Sequence, residues 1–147
     1  MKPDLDNITA QEKENMEVIQ KLNRLVNQER YDEMDELFAE EYVDHNPGWD
    51  IDSVEGFKKV IKNGHESFDV HNEIRRMIPD DNMVFSEVKN LGTHKTEVFG
   101  CPPTGKETEM TSYEIYRLKD NKIAERWVVS NTLELMKQVG VELPVDF

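Results

Sequence analysis

Residues 106–130 constrain the fold most strongly, because two strand-like runs in this stretch flank a short turn. Residues 106–118 and 122–130 are rich in strand-forming side chains, and the Lys-Asp-Asn sequence at 119–121 separates them, so this stretch predicts a long β-hairpin. In the first strand neither alternating set of side chains is polar enough to face water. We therefore expect both faces of the hairpin to be covered. Glu114, near the middle, is then either ion-paired or chemically active.

The length of the turn decides which residue lies opposite Glu114. A three-residue turn at 119–121 suits a type I turn followed by a left-handed residue, which asparagine tolerates, and it predicts that Glu114 faces Arg126. A two-residue turn at 120–121 would shift the register and place Glu114 diagonal to Glu125, with like charges close together. We favour the three-residue turn because it compensates the charge of Glu114.

This register assigns one hairpin face to a cavity and the other to a protein interface. The first face mixes apolar side chains with a few convergent polar groups, as small-molecule pockets do. Its members are Met110, Ser112, Glu114, Tyr116, Ala124, Arg126, Val128 and Ser130. The opposite face is too apolar to be left in water, and it predicts a homodimer that forms through Tyr113, Ile115, Trp127 and Val129.

The rest of the chain reads as helices followed by strands. Helical spacing of apolar residues predicts three N-terminal helices, over about residues 9–28, over residues 29–43 and from Ser53 to about His65. Alternation then predicts strands at 69–79 and 83–94, and Asn131 is expected to cap a short final helix that stops at Gly140. Helices followed by antiparallel strands indicate an α+β domain with helices packed on one face of a sheet.

Length and charge narrow the possible partners. A chain of 147 residues is the size of one domain with its own core. The net charge is −13 and the lysines and arginines are scattered, so neither nucleic acid nor an anionic membrane is an expected partner. The lack of a long apolar run or a signal-like start leads us to expect a cytoplasmic protein. A single cysteine, Cys101, excludes an internal disulfide and a cysteine-based metal cluster.

Glu114 and the histidines are the candidate reactive groups. Glu114 either forms a purely structural buried ion pair with Arg126 or acts as a desolvated general base. His45, in YVDHNPGW, is expected on a loop, where its ring is either solvated or reaches the mouth of a cavity. His94 ends the second predicted strand, where a structural hydrogen bond is the expected role.

Other polar residues are expected to be inert. Asp44, with its neighbours Glu40 and Glu41, reads as the solvated acidic end of the second predicted helix. His65 and His71 are six residues apart and straddle the predicted change from helix to strand, which is not a helical metal-binding spacing. We therefore predict no metal site.

Three segments resemble the SnoaL-like polyketide cyclase (ester cyclase) family, which belongs to the nuclear transport factor two-like superfamily. They are EYVDHNP, GTHKTEVFGCPPTGKETEMTSYEIYRLKDNKIAERW and NTLELMKQVGV. The similarity runs over roughly residues 12–142, within one expected domain over 1–147. The resemblance implies a cone-shaped α+β barrel, in which a curved antiparallel sheet wraps around the N-terminal helices and encloses a pocket. It also implies that dimers form through the sheet.

The resemblance further implies acid–base catalysis of the aldol type without a cofactor. Characterised members use a histidine and an aspartate on the last two strands, and those positions carry Glu114 and Val128 here. A further acidic position, just before the final helix, carries Asn131. Valine cannot transfer a proton, and an amide can form hydrogen bonds but cannot act as a base. The fold is therefore expected to transfer more completely than the mechanism.

Two functional hypotheses follow. The first is a cofactor-free lyase, isomerase or cyclase acting on a small, largely apolar carbonyl compound. Glu114 is then the general base, Arg126 orients it or stabilises an enolate, and His45 or His94 transfers a proton. The expected ligand-binding residues are Trp49, His94, Met110, Ser112, Tyr116, Val128 and Asn131. The alternative is a non-catalytic small-molecule-binding or dimerisation module that has lost the aspartate, and a pocket filled by its own side chains would favour it.

Overall fold

The computed structural model describes residues 5–146, apart from the side chains of Leu5 and Trp49. Three α-helices and six strands make up most of this part of the chain. The helices are α1 (Ala10–Asn27), α2 (Val54–Phe68) and α3 (Thr132–Val139). The strands are β1 (Phe38–Asn46), β2 (Trp49–Ile51), β3 (His71–Asp80), β4 (Met83–Thr93), β5 (Glu107–Lys119) and β6 (Lys122–Ser130).

The strands form one sheet in the order β2-β1-β6-β5-β4-β3. The pair β1–β6 is parallel and the other neighbouring pairs are antiparallel. The sheet is curved and does not close on itself. The α+β fold expected from the sequence is therefore confirmed, with one parallel pair in a sheet that was expected to be wholly antiparallel. No helix in the described part of the chain is long and apolar enough to cross a membrane.

Local capping signals fix the starts of the two long helices. The Thr9 hydroxyl accepts a hydrogen bond from the backbone N–H of Glu12 at 3.1 Å, and the Glu12 carboxylate accepts one from the Thr9 N–H at 3.0 Å. This reciprocal pair is a capping box. The Ser53 hydroxyl accepts from the backbone N–H of Gly56 at 3.1 Å. Both predicted helix starts are confirmed.

The helix predicted over residues 29–43 is wrong. Two short 3₁₀ turns, Tyr31–Glu33 and Asp35–Leu37, lead directly into β1. Apolar residues four positions apart, such as Phe38 and Tyr42, satisfy helical and strand periodicity equally well. Pairing with β6, which lies some eighty residues further along the chain, decides between the two periodicities, and no local signal reports it.

The core lies between the helices and the inner face of the sheet. Phe38 packs against Tyr42 and Phe57, with ring centroids 4.7 Å and 5.1 Å apart. The buried apolar face of α1 belongs to the same core and packs on β3 and β4, with Ile19, Leu22, Leu25 and Val26. Fully burying one such side chain contributes about 1.5–3 kcal/mol, so this contact between helix and sheet is a main source of stability.

The turn between β5 and β6 differs from the predicted one. Lys119 pairs with Lys122 across a two-residue turn, and the φ angles of Asp120 and Asn121 are 51° and 61°. Two consecutive left-handed residues are typical of the type I′ turn, whose twist matches that of the flanking strands. The predicted three-residue turn is therefore wrong.

A bulge at Ala124 compensates for the shorter turn. Leu118 pairs with Ile123, whereas the preceding residue, Arg117, pairs with Glu125, so Ala124 is an extra residue in β6. An extra residue exchanges the two faces of the strand beyond it. The turn and the bulge together restore the face assignment that the longer turn predicted.

Glu114 and Arg126 consequently lie on the inner face, as predicted. The direct partner of Glu114 in β6 is Val128, and Arg126 lies diagonal to Glu114 rather than opposite it. Trp127 pairs with Ile115 on the outer face. The predicted faces are confirmed for Glu114, Arg126 and Trp127, but the predicted pairing is off by one diagonal step. Ile123, which the predicted register places on the outer face, instead pairs with Leu118 and lies in the core.

Candidate functional site

A cavity of about 200 Å³ lies between the inner face of the sheet and the helices. Its apolar wall is formed by Val26, Ile51, Phe57, Val60, Ile61 and Val70. The strands contribute most of the polar groups of the opposite wall. One water needs about 10–15 Å³ of such space, so the cavity is large enough for a small organic molecule.

Arg126 lies at the centre of the polar wall and binds two carboxylates. Its Nη1 donates to Oδ2 of Asp44 at 2.7 Å, and its Nη2 donates to Oε1 of Glu114 at 3.0 Å. The side chain of Asp44 is 1% exposed and that of Glu114 is 11% exposed. These three side chains, the Asp44–Arg126–Glu114 cluster, carry a net charge of −1 when all are ionised.

Arg126 stays charged despite its burial. Burial alone lowers the pKa of a guanidinium, but the neighbouring charges of Glu114 and Asp44 outweigh that effect and hold the pKa of Arg126 well above its ordinary value. The guanidinium also lies 5.5 Å from the ring centroid of Phe57 and 5.7 Å from that of Tyr116, where the π faces attract a cation.

Two buried tyrosines complete the hydrogen bonding of the carboxylates. The Tyr42 hydroxyl donates to Oδ2 of Asp44 at 2.8 Å, and the Tyr116 hydroxyl donates to Oε2 of Glu114. Burial raises the pKa of Tyr42 and of Tyr116, so both hydroxyls remain protonated donors. A carboxylate has about four acceptor positions, so Glu114 can still accept a hydrogen bond or a proton from a ligand.

Neutral polar side chains form a second hydrogen-bonded row along the cavity wall. The amide of Asn90 donates to Oδ1 of Asn72 at 2.7 Å, and the Ser112 hydroxyl donates to Oδ1 of Asn90 at 2.7 Å. The hydroxyls of Ser112 and Ser130 lie 2.8 Å apart. These four residues, the neutral ladder, come from the adjacent strands β3, β4, β5 and β6. They offer hydrogen bonds to a ligand without adding charge.

His65 joins the cavity from the last turn of α2. Its Nδ1 lies 2.8 Å from the hydroxyl of Tyr31, and only 7% of the residue is exposed. Its Nε2 is buried and has no hydrogen-bond partner among the described residues. The sequence predicts that His65 is inert and does not indicate its place in the cavity wall.

Several expected cavity residues lie where the sequence places them. Met110, Ser112 and Val128 line the cavity with Glu114 and Arg126. Tyr116 instead lines an adjoining recess of about 40 Å³, where its hydroxyl donates a hydrogen bond to Oε2 of Glu114. Alternation along the hairpin was sufficient to find these residues.

His45 does not reach the cavity mouth. It lies on β1 rather than on a loop, and the neighbouring Asp44 faces the cavity, so the His45 ring faces the outer side. Nε2 of His45 lies 2.7 Å from Oε2 of Glu125, and Nδ1 lies 3.1 Å from Oδ1 of Asp50. The ring stacks on Trp127 with centroids 5.4 Å apart. The hydrogen bond to Glu125 raises the pKa of His45.

Two further expected ligand-binding residues, His94 and Asn131, lie outside the cavity. His94 is fully buried outside the cavity, where its Nδ1 accepts a hydrogen bond from the backbone N–H of Thr104 at 3.2 Å and its ring stacks on Phe68. It therefore anchors the loop between β4 and β5. The side chain of Asn131 caps α3 instead of lining the cavity. The side chain of Trp49 lies outside the described residues.

Asp44 is the most important residue that sequence analysis missed. Helical spacing predicts a helix over residues 29–43 with a solvated acidic end, which would leave Asp44 in water. As a strand, residues 38–44 place Phe38, Tyr42 and Asp44 on one inward face. Period-two spacing of Tyr42 and Asp44 fits this strand, but helical spacing fits the segment equally well, so the sequence alone does not decide between them. In the described part of the chain no cluster of three residues could hold a metal ion.

Comparison with known proteins identifies relatives of the same fold. IdmH from Streptomyces antibioticus, for which a polyketide cyclase activity has been suggested, is 28% identical, with a TM-score of 0.77 over 86% of this chain and 99% of IdmH. AclR from Streptomyces galilaeus, a suggested hydroxylase, is 20% identical, with a TM-score of 0.81 over 92% of this chain and 90% of AclR.

A suggested SnoaL-like polyketide cyclase from Jannaschia sp. is 15% identical, with a TM-score of 0.83 over 93% of this chain and 99% of that protein. No curated protein sequence gives a significant match. The sequence model of the SnoaL-like polyketide cyclases matches residues 16–139, which is most of the chain. The chain therefore belongs to the SnoaL-like polyketide cyclase family.

Proposed function

We propose that the protein is a cofactor-free acid–base enzyme, a lyase, isomerase or cyclase, that acts on a small, largely apolar carbonyl compound. The Asp44–Arg126–Glu114 cluster carries the proposal, because it places a carboxylate and a permanent cation side by side in the wall of a cavity. The apolar wall suits the body of such a compound, and the polar wall suits its carbonyl group.

Glu114 is the proposed general base. It accepts a proton from the carbon next to the substrate carbonyl. The electron pair of the broken C–H bond forms a C=C bond, and the π pair of the C=O bond moves onto the carbonyl oxygen. The guanidinium of Arg126, 3.0 Å from Glu114, offers a positive charge to the developing enolate. Asp44 shares the charge of Arg126, so Glu114 is not fully neutralised and keeps its capacity to accept a proton. In an isomerisation the proton returns to a different carbon of a conjugated enolate. In an aldol cyclisation the enolate carbon forms a bond to a second carbonyl carbon of the substrate, and the oxygen of that carbonyl takes the proton.

The alternative is a non-catalytic binding module, and one observation favours it. Val128 lies directly opposite Glu114, where the resemblance to characterised cyclases implies an aspartate. The open space of about 200 Å³ argues against a module that only dimerises, and it suits an enzyme and a binding module equally. We therefore retain the binding module as the second candidate.

Hydrogen–deuterium exchange in small ketones can separate the two candidates. A panel of alkyl aryl ketones is incubated with the protein in D₂O, and NMR follows both exchange at the carbon next to the carbonyl and shifts of the methyl groups of Met110 and Val128. We expect at least one ketone to bind in the cavity and to exchange faster than without protein. Binding without faster exchange would favour the binding module. Binding of none would contradict the proposed substrate class.

We also propose that the protein forms a homodimer through the outer face of β5 and β6. Tyr113, Ile115 and Val129 are 50%, 40% and 60% exposed, and with Trp127 they line an open apolar groove of about 350 Å³. Phe85 stacks on Tyr113 and extends this groove onto β4. Aromatic residues are enriched at the centres of protein interfaces, and a twofold axis would place each groove against its copy.

A further inference from the structure

We propose that the neutral ladder is a second binding region of the cavity, and that Ser130, at its β6 end, binds a hydroxyl group of the ligand. The ligand would then be a hydroxyketone with an apolar body between its carbonyl group and its hydroxyl group. This inference rests on the proposed function only in that it assumes that the cavity binds the substrate. It assigns a role to residues outside the Asp44–Arg126–Glu114 cluster.

Ser130 is an accessible part of the cavity wall. It is partly exposed, and it lines the same cavity as Glu114, Arg126 and Val128. Its partner across the hairpin, Ser112, lies two residues before Glu114 on β5. Two residues of an antiparallel strand span about 6.8 Å, so the ladder crosses β5 about 7 Å from Glu114. A small molecule can therefore contact the charged cluster and the ladder at the same time.

The hydroxyl of Ser130 has hydrogen-bonding capacity that the described part of the chain does not use. Among the described residues its side chain bonds only to the hydroxyl of Ser112, at 2.8 Å. A serine hydroxyl has one donor and two acceptor positions. Two of these three positions are therefore left for a ligand.

The direction of the hydrogen bonds along the ladder indicates which ligand group suits Ser130. Ser112 donates its one proton to Asn90, so Ser130 donates its own proton to Ser112 and offers acceptor positions to a ligand. Turning both amides of the ladder over would reverse every donor in it and would give Ser130 a free O–H group. A ligand hydroxyl both donates and accepts, so it can bind Ser130 in either case. A ketone or ether oxygen only accepts, and it could bind in the second case alone.

The far end of the ladder is fixed by α1. The backbone N–H of Asn72 donates to Oδ1 of Asn27 at 2.8 Å, and Nδ2 of Asn27 donates to the backbone carbonyl of Asn72 at 2.9 Å. The amide of Asn23 donates to the same carbonyl at 3.2 Å. Groups that are held in place before binding lose little freedom when a ligand arrives. The ladder is therefore preorganised for a hydrogen bond.

The charges of the cavity wall favour a neutral ligand group at the ladder. The four side chains of the ladder are neutral, and the neighbouring Asp44–Arg126–Glu114 cluster carries a net charge of −1 when ionised. A ligand anion at Ser130 would lose water without gaining a cation beside it, which is costly. A carboxylate should therefore bind at this position much more weakly than a hydroxyl.

Three para-substituted acetophenones test the inference by calorimetry. One carries a hydroxymethyl group, the second carries an ethyl group, in which a methyl replaces the hydroxyl, and the third carries a carboxylate. Ser130→Ala should weaken binding of the alcohol about fivefold, the effect of one hydrogen bond, and should change binding of the ethyl compound by less than about twofold. The wild type should bind the carboxylate at least about tenfold more weakly than the alcohol.

Matched variants check that the hydroxyl group of Ser130 is responsible. Ser130→Thr keeps a hydroxyl and should keep most of the affinity for the alcohol. Ser67→Ala removes a partly exposed serine outside the cavity wall and should behave like the wild type. Ser130→Cys tests the same point if Ser130→Ala does not fold, because a thiol is a weak donor and a weak acceptor.

Three outcomes would overturn the inference: no binding of the alcohol by the wild type, equal effects on the alcohol and the ethyl compound in both Ser130→Ala and Ser130→Cys, or a carboxylate that binds as tightly as the alcohol. None of these outcomes depends on turnover. Selective loss of the alcohol in Ser130→Ala without proton exchange in the wild type would contradict the proposed function alone, whereas exchange without that selective loss would contradict this inference alone.

Discussion

A single buried cation, Arg126, holds two carboxylates that would otherwise repel each other in the cavity wall. Asp44 and Glu114 come from strands on either side of β6, so the cluster also joins β1 to β5. Burying three charged groups is costly, and the arrangement is stable only because each group is paired and hydrogen-bonded. The same pairing places a carboxylate and a cation side by side next to an apolar cavity, which the proposed chemistry requires.

Arg126→Met should destabilise the protein by about 3–5 kcal/mol, because it leaves two buried carboxylates without their cation. Urea unfolding, followed by circular dichroism, measures this change. The control is Arg76→Met, at a side chain that is 68% exposed, and its effect should stay within about 0.5 kcal/mol. Equal effects in the two variants would show that the cluster is not the buried ion network described here.

The pair of His45 and Glu125 should make stability depend on pH. Their hydrogen bond raises the pKa of His45 above its ordinary value of 6.5 and lowers the pKa of Glu125 below 4.5. The His45 contribution is complete below pH 6.5 and is lost as the pH rises through its raised pKa. The Glu125 contribution is complete above pH 4.5 and is lost as the pH falls through its lowered pKa. Both contributions are therefore complete between these two values.

Urea unfolding of the wild type and His45→Gln measures this effect. We expect His45→Gln to lower the free energy of unfolding more at about pH 5.5 than at about pH 9, where the wild-type imidazole has lost its charge. An equal difference at the two pH values would contradict a charged His45 in the pair.

At the scale of elements, local signals predicted most helices and strands, and long-range pairing decided the rest. The helix caps at Thr9 and Ser53 are hydrogen bonds between residues that are close in the chain, and the alternation along β5 is equally local. The sequence alone therefore predicts both. The parallel pairing of β1 with β6 joins distant segments, and it converts an expected helix into the strand that carries Asp44. The bulge at Ala124 has no sequence signal, although it determines which residues share a face.

Asp120→Val should test the turn between β5 and β6. Asp120 has a φ of 51°, a left-handed conformation that a β-branched residue adopts only at a cost of about 1–2 kcal/mol. In the three-residue turn expected from the sequence, the same position would be right-handed and valine would cost little. Lys122→Val, at an exposed strand position, is the control and should be nearly neutral. A neutral Asp120→Val variant in urea unfolding would favour the longer turn.

At the scale of the whole molecule, an acidic chain presents one apolar sheet face. Each chain carries a net charge of −13, so two copies repel each other at long range and need a sizeable apolar contact to associate. Salt screens this repulsion, with a Debye length of about 10 Å at 0.1 M. We therefore expect the proposed homodimer to become tighter as the salt concentration rises.

Val129→Glu should convert the dimer to a folded monomer, because Val129 is 60% exposed in the single chain and tolerates a charge there. Trp127→Glu should give monomers or insoluble protein, since Trp127 is more buried. Native mass spectrometry measures the subunit count and detects any retained ligand. Phe99→Glu, at an exposed loop residue outside the groove, should remain dimeric. A wild-type monomer at micromolar concentration would contradict the proposed interface.

The comparison of Glu114→Gln with the wild type tests the proposed chemistry most directly. The measurement is the rate of proton exchange in D₂O for a ketone that binds in the cavity, with Glu107→Gln, an exposed position on the same strand, as the control. General acid–base catalysis contributes about 10²–10⁴-fold, so Glu114→Gln should lose that factor while it still binds the ketone and unfolds cooperatively. An exchange rate equal to that of the wild type would contradict the assignment of Glu114 as the base.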